Sequence, residues 1–156
     1  DHAPRATDGC GIPTLAMPLM ALARGAARFV QPQGLGPERA AACRRIAAAM
    51  AAHPFMIGGS GRLCTQLIAA AKGRVLVKTG AEGVYVAMAP DQGLGLALKA
   101  LDGAKRAAEV ALIALLDGLG AMDDELRQAM AAFAVPPILS RSGAVVGRIA
   151  VRARAV

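Results

Sequence analysis

The residues best equipped for chemistry lie in "RVLVKTGAEG", residues 74–83, where apolar alternation runs straight into Lys78, Thr79 and Gly80. A lysine at a strand end can hold a carboxylate or help a nearby hydroxyl lose its proton. Thr79 can donate to a substrate oxygen, and Gly80 lets the backbone approach a ligand closely. Packing alone has no use for a cation, a hydroxyl and a glycine at the rim of a sheet, but three letters are also what a strand ending in a solvated lysine looks like.

Other stretches are weaker. In "TDGCGIPT", residues 7–14, Cys10 sits between glycines in an exposed, backbone-rich setting unlike that of a core cysteine. One thiolate cannot hold zinc, which needs three or four ligands, and His2 and His53 stand at no recognisable ligand spacing from it. "MIGGSGR", residues 56–62, offers Ser60 in a glycine-rich turn at a helix start, where backbone N–H groups can meet an anion. It lacks the lysine of a phosphate-binding loop and the spacing of a nucleophile elbow, so a plain helix N-terminus is the simpler reading. "GLGLAL" at 93–98 lacks a third glycine and lies inside a strand, which excludes a dinucleotide fingerprint. The acids Asp8, Glu82, Asp91, Asp102 and Glu109 are scattered, with no Ser-His-Asp set and no carboxylate pair.

Positioning these residues falls to a chain of 156 residues, long enough for one domain with a real core. Alanine dominates the apolar fraction, so the core is built from small side chains with some Leu, Ile, Val and Met. The net charge of +7 would suit nucleic acid. However, the basic residues do not cluster and aromatics for base stacking make up only 3% of the chain, so no nucleic-acid partner is expected. Arg far outnumbers Lys, and Ala, Gly and Arg are inflated together, as a GC-rich coding bias would do. Cys10, Cys43 and Cys64, odd in number and unrelated in spacing, argue for a reducing compartment, taken as the cytoplasm. No apolar run reaches spanning length, since Glu109 interrupts the longest, so no membrane partner is expected. No signal peptide is visible, and the opening without an initiator Met fits a tail piece of something longer.

The patterning predicts a loop over 1–13, a helix in "PLMALARGAARF" with Pro18 at its first position, and a helix in "PERAAACRRIAAAMAAH" with Cys43, Ile46 and Met50 on one face. A short helix follows near 61–71, with Leu63, Leu67 and Ala70 on one side. Then "RVLVKT", "GVYVAMA" and "LGLALKAL", joined by "GAEG" and "PDQG", read as an antiparallel meander, apolar on both faces and so covered by helices on both. "GAKRAAEVALIALL" reads as a mostly buried helix. Asp123 reads as the N-cap of a last helix with Leu126, Met130 and Phe133 as its stripe. "AVVGRIAVRARAV", with Arg148, Arg152 and Arg154 on its solvated face, reads as an edge strand. The class is α+β.

The order of motifs supplies what the residues alone do not. "DGCGIPT", then "AHPFMIGGSGR", then "RVLVKTGAEGVYVAMAPDQGLGLALKALDGAKRAAEVALIALL" resembles the C-terminal half of the asparaginase II family, the thermolabile Rhizobium-type L-asparaginases, from about Asp8 to about Leu116. The Lys-Thr-Gly letters also recur on a strand lining the acyl-transfer site of serine β-lactamases and penicillin-binding proteins. The resemblance implies a serine β-lactamase/glutaminase-like fold, with residues 1–156 as the C-terminal portion of one domain. It implies hydrolysis of L-asparagine to aspartate and ammonia through an acyl-enzyme on a serine of a Ser-x-x-Lys pair, which lies upstream of residue 1. It also implies a homodimer and a zinc ion held by two cysteines and a lysine, of which Cys10 is one cysteine. Asp8, Lys78, Thr79, Gly80 and Glu82 become substrate-binding candidates: Lys78 for the substrate carboxylate, and Asp8 or Glu82 for its ammonium. A chain of these residues alone is then expected to be inactive.

One departure weakens the likeness. Where relatives show Arg-Phe-Asp-Thr after the glycine-rich turn, this chain has Arg62-Leu63-Cys64-Thr65. That loss favours a rival reading, a non-catalytic small-molecule-binding relative that kept the sheet. A second rival is a penicillin-binding-type acyl transferase, which requires a signal peptide upstream and labelling by penicillin.

Overall fold

The computed structural model describes residues 3–152. His2 and Arg154, both invoked above, lie outside the described residues. The centre is a three-stranded antiparallel meander, β3 (Leu76–Thr79), β4 (Val84–Ala89) and β5 (Leu94–Lys99), in that spatial order. The register sets Thr79 opposite Tyr85, and Tyr85 opposite Leu98. Side chains alternate across a strand, so Val77, Tyr85, Ala87, Leu96 and Leu98 share one buried face. Lys78, Val86, Met88 and Gly95 belong to the other face.

Helices cover both faces, as the double apolar pattern requires. On the Tyr85 face lie α4 (Leu63–Ala71), α5 (Lys105–Gly118) and α6 (Asp124–Ala134). Their inward residues, Leu63, Leu67, Ile68, Leu112, Leu116, Leu126 and Met130, are almost wholly removed from water. Ala70 and Phe133, also expected on these inner stripes, are half-buried. On the opposite face α1 (Leu19–Val30) crosses β4 and β5, with α2 (Pro37–Ala52) packed beside it.

Small residues set the spacing of the α1 layer. A Cβ on Gly95 would run into the backbone of Ala23 and Ala27 in α1. The hairpin between β3 and β4 is equally tight. Gly83 has φ +68°, and a Cβ there would lie 2.9 Å from the Ala100 Cβ. Its neighbour Glu82 takes the left-handed conformation without being glycine (φ 56°), and the Lys99 ammonium donates to its carbonyl.

Four sequence expectations need correction. Residues 1–13 are not all loop: β1 (Arg5–Thr7) and β2 (Pro13–Leu15) form a hairpin whose tip is the Asp-Gly-Cys-Gly motif. Short strands without apolar alternation carry no periodic signal, and this hairpin is exposed throughout. Pro18 caps α1 rather than opening it. Residues 54–58 form a short helix, α3 (Pro54–Gly58), which the glycines that follow had masked. The last strand, β7 (Val145–Arg148), pairs with β6 (Pro137–Leu139) in a separate two-stranded hairpin and does not flank the main sheet.

Asp123 does cap α6. Its carboxylate accepts from the Leu126 amide at 2.9 Å and binds Arg74, whose guanidinium holds that carboxyl below the usual carboxylate range. A depressed folded pKa means that this contribution is present above the ordinary carboxylate range and is lost as pH falls through the lowered value.

Two outcomes check this architecture. Gly95→Ala should cost about 3 kcal/mol of unfolding free energy, read by urea denaturation, because α1 must lift from the sheet. Asp123→Ala should lower the thermal midpoint by a few degrees at neutral pH. The gap between variant and parent should narrow in acid, once the parent's own cap is protonated.

Candidate active site

The end of β3 gathers several of the candidate residues on one hairpin. Gly80 N–H donates to Val84 O at 2.8 Å, which holds the strand end in the turn. Lys78 is exposed, and its ammonium curls back to the Thr79 carbonyl at 2.6 Å. Its stem lines a groove of about 480 Å³ between the sheet and helices α1, α2 and α3. Met17, Phe29, Ile46, Met50, Ile57 and Met88 make that groove almost wholly apolar. Ile46, Phe55 and Met56 of the same helices are themselves exposed.

Thr79 roots on the other side of the strand, above a polar cluster that interrupts an otherwise apolar layer. Tyr85, 1% exposed, donates its phenol proton to Glu109 Oε1 at 2.9 Å. The same carboxylate oxygen pairs with Lys105 Nζ at 3.2 Å, one turn back on α5. Burial raises the Tyr85 pKa far above the ordinary phenol value; the neighbouring Thr79 side chain pulls it down, and Glu109 pushes it further up. The Cys64 thiol, 1% exposed, lies against the Thr79 backbone. Burial pushes its pKa up, opposed by the Thr79 backbone hydrogen bond and the positive charges of Lys78 and Arg62. Such a thiol stays protonated and unreactive.

Asp8 and Cys10 are not brought to this rim by any substantial packing. They sit together at the tip of the β1–β2 hairpin, where Asp8 Oδ1 accepts from the Gly9 amide at 2.7 Å and Oδ2 faces Cys10 Sγ at 3.6 Å. Glu82 is at the hairpin tip beside Gly80, but its carboxylate leans over Gly103. Among the described residues no hydrogen bond or ion pair joins Lys78 to Asp8 or Glu82. No group of three or more His, Cys, Asp or Glu able to hold a metal ion forms among the described residues. One thiolate and one carboxylate at the Asp8–Cys10 tip fall short of the ligands that zinc requires.

Sequence reasoning missed Tyr85, Glu109 and Lys105. Two signals were present: the chain's only tyrosine stands in an apolar strand, and a lone acid breaks the apolar run of α5. Their meeting depends on the register of β4 against β3 and on how α5 crosses the sheet, and neither has a local signature.

The sheet, covered by helices on both faces, thus ends its edge strand β3 in Lys78 and Thr79, with Gly80 next. The L-asparaginase II family model matches residues 1–151, and the chain belongs to that family of asparaginase-type hydrolases. Among curated proteins no sequence matches this chain. No helix among the described residues is long and apolar enough to cross a membrane.

Burial separates the three thiols. Cys10 is exposed, Cys43 half-buried and Cys64 buried. Titration of the native chain with an aromatic disulfide reagent should modify Cys10 quickly and leave Cys64 untouched until denaturant is added.

Proposed function

We propose that these residues form the substrate-binding wall of an L-asparagine amidohydrolase whose serine nucleophile, with its Ser-x-x-Lys lysine, is contributed from outside residues 1–156. The observation that carries this reading is the groove beside Lys78. It is apolar and open, and Lys78, near the end of β3, lines it. A helix bearing a nucleophile would bury its apolar side there and bring its hydroxyl to that rim, as in the serine β-lactamase/glutaminase-like arrangement.

In this reading Lys78 holds the substrate α-carboxylate, and Asp8 meets the α-ammonium once the β1–β2 hairpin lies over the rim. Glu82, turned toward Gly103, is the weaker of the two acids for that role. The serine oxygen attacks the amide carbon, the C–N bond breaks and ammonia leaves with a proton. Water then opens the ester to aspartate. Cys10 would be one ligand of a zinc ion completed by residues outside this chain, and no step above depends on it. A cytoplasmic homodimer is part of the same proposal.

The rival, a binding relative without catalysis, draws on Cys64: a buried, protonated thiol stands where the family pattern has an aspartate, so that position supplies no carboxylate.

The test is ammonia release from L-asparagine by the chain alone and by the chain joined to the upstream half of its parent. Activity in the joined protein only, falling roughly 100-fold in Lys78→Ala, is the expected result. Silence of a folded joined protein would overturn it in favour of the binding relative, and activity indifferent to Lys78→Ala would overturn the part given to Lys78.

A further inference from the structure

Two lysines stand on one face of the sheet at the same end: Lys78 on β3 and Lys99 on β5, with Val86 and Val84 of β4 between them in register. They are used differently. Lys78 gives one hydrogen bond, to the carbonyl of its own neighbour Thr79. Lys99 reaches off the end of its strand and bridges two carbonyls, Glu82 O at 2.5 Å and Ala100 O at 2.7 Å. Glu82 belongs to the turn between β3 and β4, and Ala100 to the segment between β5 and α5. Lys99 therefore ties the tip of the β3–β4 hairpin to the chain leaving β5.

The turn it holds is a demanding one. Ala81–Val84 is closed by Val84 N–H on Ala81 O at 3.2 Å, and both central residues have positive φ, 56° at Glu82 and 68° at Gly83. Glycine and asparagine serve such a backbone; in a glutamate the Cβ is crowded by its own main chain. Among the described residues the Glu82 carboxylate makes no ion pair that would offset this. The hydrogen bond from Lys99 falls on the Glu82 carbonyl, so it fixes the orientation of the peptide that joins the two left-handed residues. Gly83 then leans against Gly103, where a Cβ would lie 3.0 Å from the Gly103 carbonyl carbon. One step back along the hairpin, Gly80 N–H donates to Val84 O, so the conformation of the turn reaches the end of β3 directly.

We propose that Lys99 is a positioning residue of the substrate wall: by bridging Glu82 O and Ala100 O it holds Glu82 left-handed, and so sets the turn that fixes Lys78 and Gly80 at the rim. The inference rests on the hydrolase reading above. It also divides the two lysines by role. Lys99 has given two of its three ammonium donors to the backbone, and Lys78 is left as the cation for the substrate carboxylate.

The experiment uses the joined protein that releases ammonia, with Lys99→Met, which keeps the aliphatic stem, Lys99→Arg, Glu82→Gly, and Lys99→Met combined with Glu82→Gly. Lys99 is exposed, so Lys99→Met should melt close to the parent; if it melts early, Lys99→Thr, a good strand residue, is read in its place. Expected for Lys99→Met is a rise of about tenfold in KM with kcat little changed, and faster hydrogen exchange at the Gly80 amide. Lys99→Arg should recover most of the loss. Against Glu82→Gly, where glycine takes the left-handed conformation unaided, Lys99→Met should change KM less than about twofold and leave Gly80 exchange unmoved. An active parent in which Lys99→Met costs as much beside Glu82→Gly as beside Glu82, or moves neither KM nor Gly80 exchange, overturns this inference alone. A folded parent silent toward L-asparagine overturns the hydrolase reading and this inference together.

Discussion

The contact of α1 with the bare backbone of β5 at Gly95 fixes the thickness of the molecule. An alanine-rich chain has few long side chains with which to span a gap, so its layers must come close together. Gly95 removes the one Cβ that would hold α1 away, and the rest of α1 follows across β4. With the helix seated there, Phe29 and Met88 become walls of the groove that runs to Lys78. On the far side the larger residues of α4, α5 and α6 fill the core in the ordinary way. The rim therefore stands between a shallow layer and a deep one, and it inherits its shape from the difference.

Electrostatics at the rim follow the same division. Toward the groove, Lys78 keeps its ammonium in water and along its own strand's carbonyl. Toward the core, charge is admitted only in compensated form, as Lys105, Glu109 and Tyr85 sharing one carboxylate oxygen. Cys64 takes the remaining space as a neutral thiol. A free carboxylate at that depth would need a partner of its own.

The sheet was legible in the sequence because each strand is a short alternating run with turn residues at both ends, and its double burial followed from apolar residues on both faces. The main helices were legible for the same reason, and Asp123 announced α6 by its chemistry as an N-cap. What escaped had no periodic signal. The β1–β2 hairpin is exposed on every residue, and α3 is barely one turn between a proline and glycines. The β6–β7 pair read as an edge strand because alternation says which residues share a face but not which strand they pair with. Of the site, Lys78, Thr79 and Gly80 were visible as an odd ending to a strand. The cluster beneath them was not, since Thr79, Tyr85 and Glu109 are brought together only by strand register and helix crossing.

The hairpin with Asp8 and Cys10 at its tip has a consequence for any ligand it serves. Its ladder is three residue pairs long and every side chain on it meets water, so its order is only that of a short ribbon. The sheet behind the rim, by contrast, is packed into the buried core of the chain. A ligand that bridges the two meets one wall already in place and must supply the ordering of the other. Its apparent affinity is then scaled by the fraction of time the ribbon spends docked, so substitutions that merely stiffen residues 5–15 would tighten binding without touching the ligand.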